Sequence, residues 1–134
     1  MFKPAKLIVA ASAFVFAILP TAGNALDMQG QVLLQTTMAQ HIERHMVNGV
    51  IPHVVLDDGI VVDLVPTEAH PMILSYGEGY VLCTDFRDPE GRFVNVDFYV
   101  AQGEEGFVIF QMEIDNRAPL HALMEQGKVK KIGG

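Results

Sequence analysis

The sequence holds a single cysteine, Cys83, so no internal disulfide can close. There is no CxxC pair, and a thioredoxin-like redox role has nothing to rest on. Alone in an apolar run, Cys83 is expected to be a buried small hydrophobe. The sharper roles open to it are a link between two chains or a soft metal ligand. The motifs that announce common chemistries are missing too: no GxSxG, no phosphate-binding P-loop and no GxGxxG. Ser75 and Thr84 stand as lone hydroxyls, and the chain reads as a non-enzyme. Basic residues are few, nine against 16 acids, giving a formal net charge of −7. That balance points away from nucleic acid and from an anionic membrane surface, and permits a cationic partner or a metal.

Long apolar runs are also scarce. Leu7 to Leu19 is the one extended stretch, about 13 residues, short of the roughly 20 that a retained transmembrane helix needs. Lys3 and Lys6 precede it, Pro20 breaks it, and Thr21-Ala-Gly-Asn-Ala25 supplies the small residues that a signal peptidase reads. Residues 1–25 are therefore expected to be a cleavable secretory signal peptide, which would make the protein periplasmic or secreted, with no membrane span after cleavage. No cysteine lies at the cleavage point to carry a lipid. Both lysines of this segment leave with it and no acid does, so residues 26–134 are more acidic than the whole. They are expected to form one small domain with a modest core.

What the chain does have is alternation. Tyr80–Phe86, Phe93–Ala101 and Phe107–Ile114 are three strand-like runs joined by short polar, glycine-bearing connections. Val94, Val96, Phe98 and Val100 fall on one face of the middle run, and Asn95, Asp97 and Tyr99 on the other. Val108, Phe110, Met112 and Ile114 oppose Gln111 and Glu113 in the next. An antiparallel sheet with one dry and one wet face has this pattern. Before the meander, Gln31–Val47 carries a helical stripe of Leu34, Met38, Ala39, Ile42 and Met46, ended by Asn48-Gly49. Leu26–Gly30 reads as a frayed leader. Val50–Leu56 and Ile60–Val65 flank Asp57-Asp58-Gly59 as a hairpin; Pro66–Pro71 reads as a loop, and Met72–Tyr76 as a short strand. After Asp115-Asn116, Pro119 opens a short helix with Leu120, Leu123 and Met124 inward, and Lys128–Gly134 is a basic tail. The expectation is an α+β fold: an N-terminal helix on a curved antiparallel sheet of five or six strands, with a short C-terminal helix. Cystatin-like, PepSY-like and small ligand-sensing domains share that general shape, as a likeness of fold alone.

Three groups of residues could carry function. Asn95, Asp97, Tyr99, Gln111 and Glu113 share the face expected to be wet. A partner protein or small ligand would meet them there, with Tyr76 and Tyr80 adding to the surface if they project the same way. His41 and His45 stand four apart on one helix face, at the edge of the apolar stripe, a separation that suits two imidazoles on one metal ion. In an exported protein copper or zinc would fit them. Glu43 points elsewhere, so this is not the HExxH of zinc proteases. A third ligand would have to come from His53, His70, His121, Cys83 or a methionine. No cofactor is otherwise expected. The acidic turns at Asp57-Asp58, Asp88-Pro-Glu90 and Glu104-Glu105 lack the alternating oxygens of a calcium loop and read as solvated turns. An edge strand left open would allow a homodimer.

Overall fold

The computed structural model describes residues 26–133. The expected signal segment, residues 1–25, lies outside them. The described chain runs α1 (Met28–His45), β1 (Ile51–Val55), β2 (Ile60–Tyr76), β3 (Gly79–Arg87), β4 (Phe93–Gly103), β5 (Gly106–Ile114), α2 (Ala118–Glu125) and β6 (Val129–Gly133). The strands form one antiparallel six-stranded sheet in the order β1-β2-β3-β4-β5, with β6 also paired to β2. The α+β architecture expected from the sequence is the one present. No helix among the described residues is long and apolar enough to cross a membrane.

Asp27 caps α1: its side chain accepts a hydrogen bond from the Gly30 amide at 2.7 Å. The segment expected to fray therefore begins the helix, and Leu26 packs against the core. Leu34 and Met38 are buried under α1, with Ile42 and Met46 beside them, over Leu64, Leu82, Phe86, Val96, Phe98 and Val100. Ala39 departs from the expected stripe. It is exposed, along an open groove beside Ala69 and Pro71. At the other end, Asn48 and Gly49 do not cap the helix, which stops at His45. With φ of 53° and 85° they form a tight reversal in which Val47 and Val50 exchange both backbone hydrogen bonds, at 2.7 and 3.2 Å. Two adjacent positive φ values are what a primed turn demands, and Asn-Gly meets that demand at least cost.

Two expectations about β2 and the tail are corrected. Pro66–Pro71 is not a loop: β2 runs unbroken for 17 residues, with register shifts against β3 between Pro66 and Ala69 and between Ala69 and Ile73. Proline brings no amide to the ladder, so side chains complete the pairing across the irregular stretch. The buried Thr84 hydroxyl donates to the Glu68 carbonyl at 3.2 Å, Thr67 donates to the Asp85 carbonyl, and His70 meets the Asp85 carboxylate at 2.8 Å. Nor is the basic segment after α2 a mere tail, since Val129–Gly133 forms β6. Val129, Lys130 and Lys131 pair with Tyr76, Ser75 and Leu74.

A bulge in β5 changes which of its side chains face solvent. Val100 pairs with Ile109 but Tyr99 with Gln111, so Phe110 and Gln111 together oppose Tyr99. The extra residue reverses the alternation. Met112 and Ile114 face the α1 core as expected, yet before the bulge Phe107 and Ile109 do so instead of Val108 and Phe110. Val108 and Phe110 are 53% and 56% exposed.

Candidate functional site: the second face of the sheet

The face expected to be wet is partly dry. Asp97 is 0% exposed and Tyr99 3%. Tyr99 belongs to a second core with Leu74, Val81, Cys83 and Leu120, roofed by α2, with Leu123 and Val129 packed at its margin, and Asp97 pairs with Cys83 beside it. Of the α2 residues expected inward, Leu120 is buried, Leu123 half-buried and Met124 exposed. The physical reason for the correction is visible in β3. Val81, Leu82 and Cys83 are a continuous apolar run, and a strand without alternation needs cover on both faces.

The segment leaving β5 places the one cation of this core. The Asp115 amide donates to the Asn95 carbonyl at 2.8 Å, and Asp115 takes a φ of 53°, a conformation that aspartate tolerates better than most residues. Asn116 then accepts from the Ala118 amide at 3.2 Å, and Arg117, at the cap of α2, folds back over the sheet. Its Nε and Nη2 donate to Asp97 Oδ2 and Oδ1, both at 3.2 Å, and Nη2 lies 3.5 Å from Cys83 Sγ. The two-pronged geometry is what a guanidinium offers a carboxylate. The Asp97 hydrogen bonds hold Arg117 above its ordinary value. Burial, then Asp97, push the Cys83 thiol up to about 12, which keeps it protonated. Burial, with the charges of Asp97 and Glu113, carries the Tyr99 phenol up to about 12 as well.

The structure brings the five expected surface residues together but divides them by depth. Asp97 stands opposite Glu113 and Tyr99 opposite Gln111 across the β4–β5 ladder, with Asn95 two residues along β4. Asp97 and Tyr99 are interior and Asn95 is half-buried, leaving Gln111 exposed and Glu113 partly so. Both Asp97 oxygens are taken by Arg117. The Glu113 carboxylate accepts from Gln111 Nε2 and, at 2.8 Å, from Asn116 Nδ2. The Tyr99 hydroxyl and Asn95 Oδ1 are buried with no hydrogen-bond partner among the described residues. Tyr76 does project to this face, its ring 6.2 Å from Tyr99, which in turn lies 6.4 Å from Phe110. Gly79 makes room for it: a Cβ there would stand 2.9 Å from the Tyr76 ring. Tyr80 faces the α1 side, edge-on to Phe107. The surface that remains is an aromatic row of Tyr76, Tyr99 and Phe110, deepest at Tyr99 and open to solvent at Phe110. Phe110, Val108 and Arg117 were not anticipated here; simple alternation had put the first two on the other face.

The His41 and His45 rings stack with centroids 4.1 Å apart, and His41 is edge-on to Phe98. His45 Nδ1 lies 2.7 Å from the His41 carbonyl. Burial, then the neighbouring His45 and Arg44, lower the His41 pKa. Of the other ligands considered, Cys83 is in the second core, His53 on β1, His70 on β2 beside Asp85 and His121 on α2. Among the described residues no group of three or more His, Cys, Asp or Glu is placed to hold a metal ion. Comparison with models of known families, with curated proteins and with solved structures found no match.

Proposed function

We propose that this protein is an exported, periplasmic or secreted, non-enzymatic domain that binds a partner protein through the second face of its sheet. The observation that supports this reading is the β5 bulge, which turns Phe110 and Val108 out of the core and into solvent beside the half-covered Tyr76–Tyr99 pair. An aromatic ring on rigid sheet, with an amide and a carboxylate at Gln111 and Glu113 around it, has the make-up of an anchor and its polar rim. Among the described residues β5 pairs only with β4, which leaves its outer edge available to the same partner. A photo-crosslinking residue at Val108 tests the surface in cells. A covalent adduct with another protein, lost in Phe110→Asp, is expected. Removal of the anchor should weaken binding about tenfold or more. An adduct of twice the chain's own mass would assign the face to a homodimer. Alanine changes at Phe110, Gln111 and Glu113 that leave folding and phenotype untouched would remove the case.

A second reading, a copper or zinc binder, is favoured by one feature of the histidine pair. The contact with the His41 carbonyl sets His45 Nδ1–H as the donor and turns Nε2 to the other side of the ring, and the lowered pKa of His41 keeps that ring neutral near pH 7. A neutral imidazole is the form that ligates. The metal would raise the melting temperature, and the double variant His41→Ala, His45→Ala would abolish the rise. A rise that survives in the double variant would place the metal elsewhere.

A further inference from the structure

The sheet face that α1 covers extends beyond the helix, and its uncovered end is a cavity of about 550 Å³ between the β1–β2 turn, the β3–β4 turn and the end of β5. Val55, Ile60, Val62, Leu64, Val94 and Ile114 line it, with Leu64 belonging to the buried core beneath. The apolar lining is not closed off: Ile60 is 52% exposed, and Leu56, on the β1–β2 turn, 92%. Around this lining stand Asp57 and Asp58 from one turn, Asp88 and Glu90 from another, and Asp115 at the end of β5. Arg92 is the one lysine or arginine among the lining residues, and it is bound to Asp88 at 2.7 Å and to Glu90 at 3.5 Å. Asp57, Asp58 and Asp115 make no ion pair among the described residues. Two acidic turns that lie far apart in sequence thus meet over one apolar cavity, a relation that neither turn shows alone.

We propose that this cavity binds a small organic cation: an ammonium or guanidinium group on an aryl or alkyl body. The volume lies in the range of ordinary ligand pockets, about 300–1,000 Å³. The lining takes an apolar body, and the rim sets five carboxylates, Asp57, Asp58, Asp88, Glu90 and Asp115, against one arginine, with His53 beside them. A bare divalent ion would use the rim and leave the apolar lining unoccupied. An anion of the same shape would face uncompensated carboxylates. Charge and apolar surface together select an amphiphilic cation. The site lies on the α1 side of the sheet and does not depend on the partner surface proposed for the other side.

The test is amide and methyl NMR of the protein titrated with phenethylammonium, with 3-phenylpropionate as the anion of similar body and calcium as the bare cation. Phenethylammonium is expected to move the Ile60, Val62, Val94 and Ile114 signals saturably, and 3-phenylpropionate to leave them still. Asp57→Asn with Asp58→Asn should weaken binding about three- to tenfold, as loss of partly exposed charge pairing does, and added salt should weaken it likewise. Ile60→Ala should weaken it without changing the salt dependence. Equal responses to cation and anion, responses that map away from the cavity, no response to phenethylammonium, or saturation by calcium alone would each overturn the proposal. The comparison of wild-type responses decides the matter even if a variant fails to fold.

Discussion

The two faces of the β3–β4–β5 sheet are covered by unequal means. On one side α1 lays 18 residues across the strands and seals Phe86, Phe98 and their neighbours. On the other, α2 has eight residues and one buried side chain, Leu120, and the cover is completed by an ion pair, Arg117 on Asp97. The first side is held mainly by apolar area, with the Thr84 hydroxyl and the Gln35 amide bonded to β2 carbonyls beside it. The second buries a carboxylate, a thiol and a phenol, and leaves Phe110 and Val108 in solvent. A sheet needs one dry face to fold; the half-finished second face is where binding surface can be spared.

The largest expected effect sharpens that contrast through two phenylalanines. Phe98→Ala should cost about 3–5 kcal/mol, because the ring is buried in a core with nine other buried side chains, which relax only partly into such a gap. Phe110→Ala, twelve residues on in the same sheet, should change stability by no more than about 0.5 kcal/mol. Urea unfolding of both variants measures the difference. A cost at Phe110 approaching that at Phe98 would mean that its ring is structural, and the binding surface would lose its anchor.

Next in size is the ion pair. Asp97 is buried, while the Arg117 side chain is 39% exposed. Arg117→Ala leaves the carboxylate without its cation and should cost about 2–4 kcal/mol, the range for breaking a buried pair, lessened by water reaching the guanidinium side. The double variant Asp97→Val, Arg117→Leu should recover most of the loss, since well-packed apolar residues replace buried pairs at little cost. If the double variant is no better than the single one, the pair stabilises in its own right and the asymmetry between the faces is smaller than drawn here.

Much of this arrangement was legible in the residues. The alternation of Val94, Val96, Phe98 and Val100 fixed the dry face of β4, Leu34 and Met38 marked the buried side of α1, and the glycine-bearing connections marked the hairpins. What stayed hidden has two physical sources. A bulge changes strand register without any composition of its own: nothing in Phe107–Ile114 announces that Phe110 is the extra residue, because both readings place an apolar side chain at every second position on some face. Cover by a distant element is the other source. Asp97 and Tyr99 looked solvent-facing because the arginine that neutralises one and the helix that roofs the other come 20 residues later. The unbroken apolar run Val81–Cys83 was the available signal that both faces of β3 are dry. The two prolines of β2 read as a loop because the Thr84 and Thr67 hydroxyls that mend the ladder there are side-chain contacts, which no local pattern encodes.

The smallest effect bears most directly on what the second face is for. Tyr99 carries a hydroxyl that is buried without a partner among the described residues, a state that costs about 1–3 kcal/mol relative to a satisfied group. Phenylalanine in its place keeps the ring contacts with Tyr76 and Phe110 and removes the orphan, so Tyr99→Phe should stabilise the protein by about 1 kcal/mol and raise Tm by roughly 4–8 °C for a domain of this size. The same variant should leave the yield of crosslinking from position 108 unchanged, because the hydroxyl lies beneath the surface that a partner meets. A Tyr99→Phe protein that crosslinks less would mean that the second face opens to expose the hydroxyl on binding, and would bring Tyr99 into the recognition otherwise assigned to Phe110 and the residues at its rim.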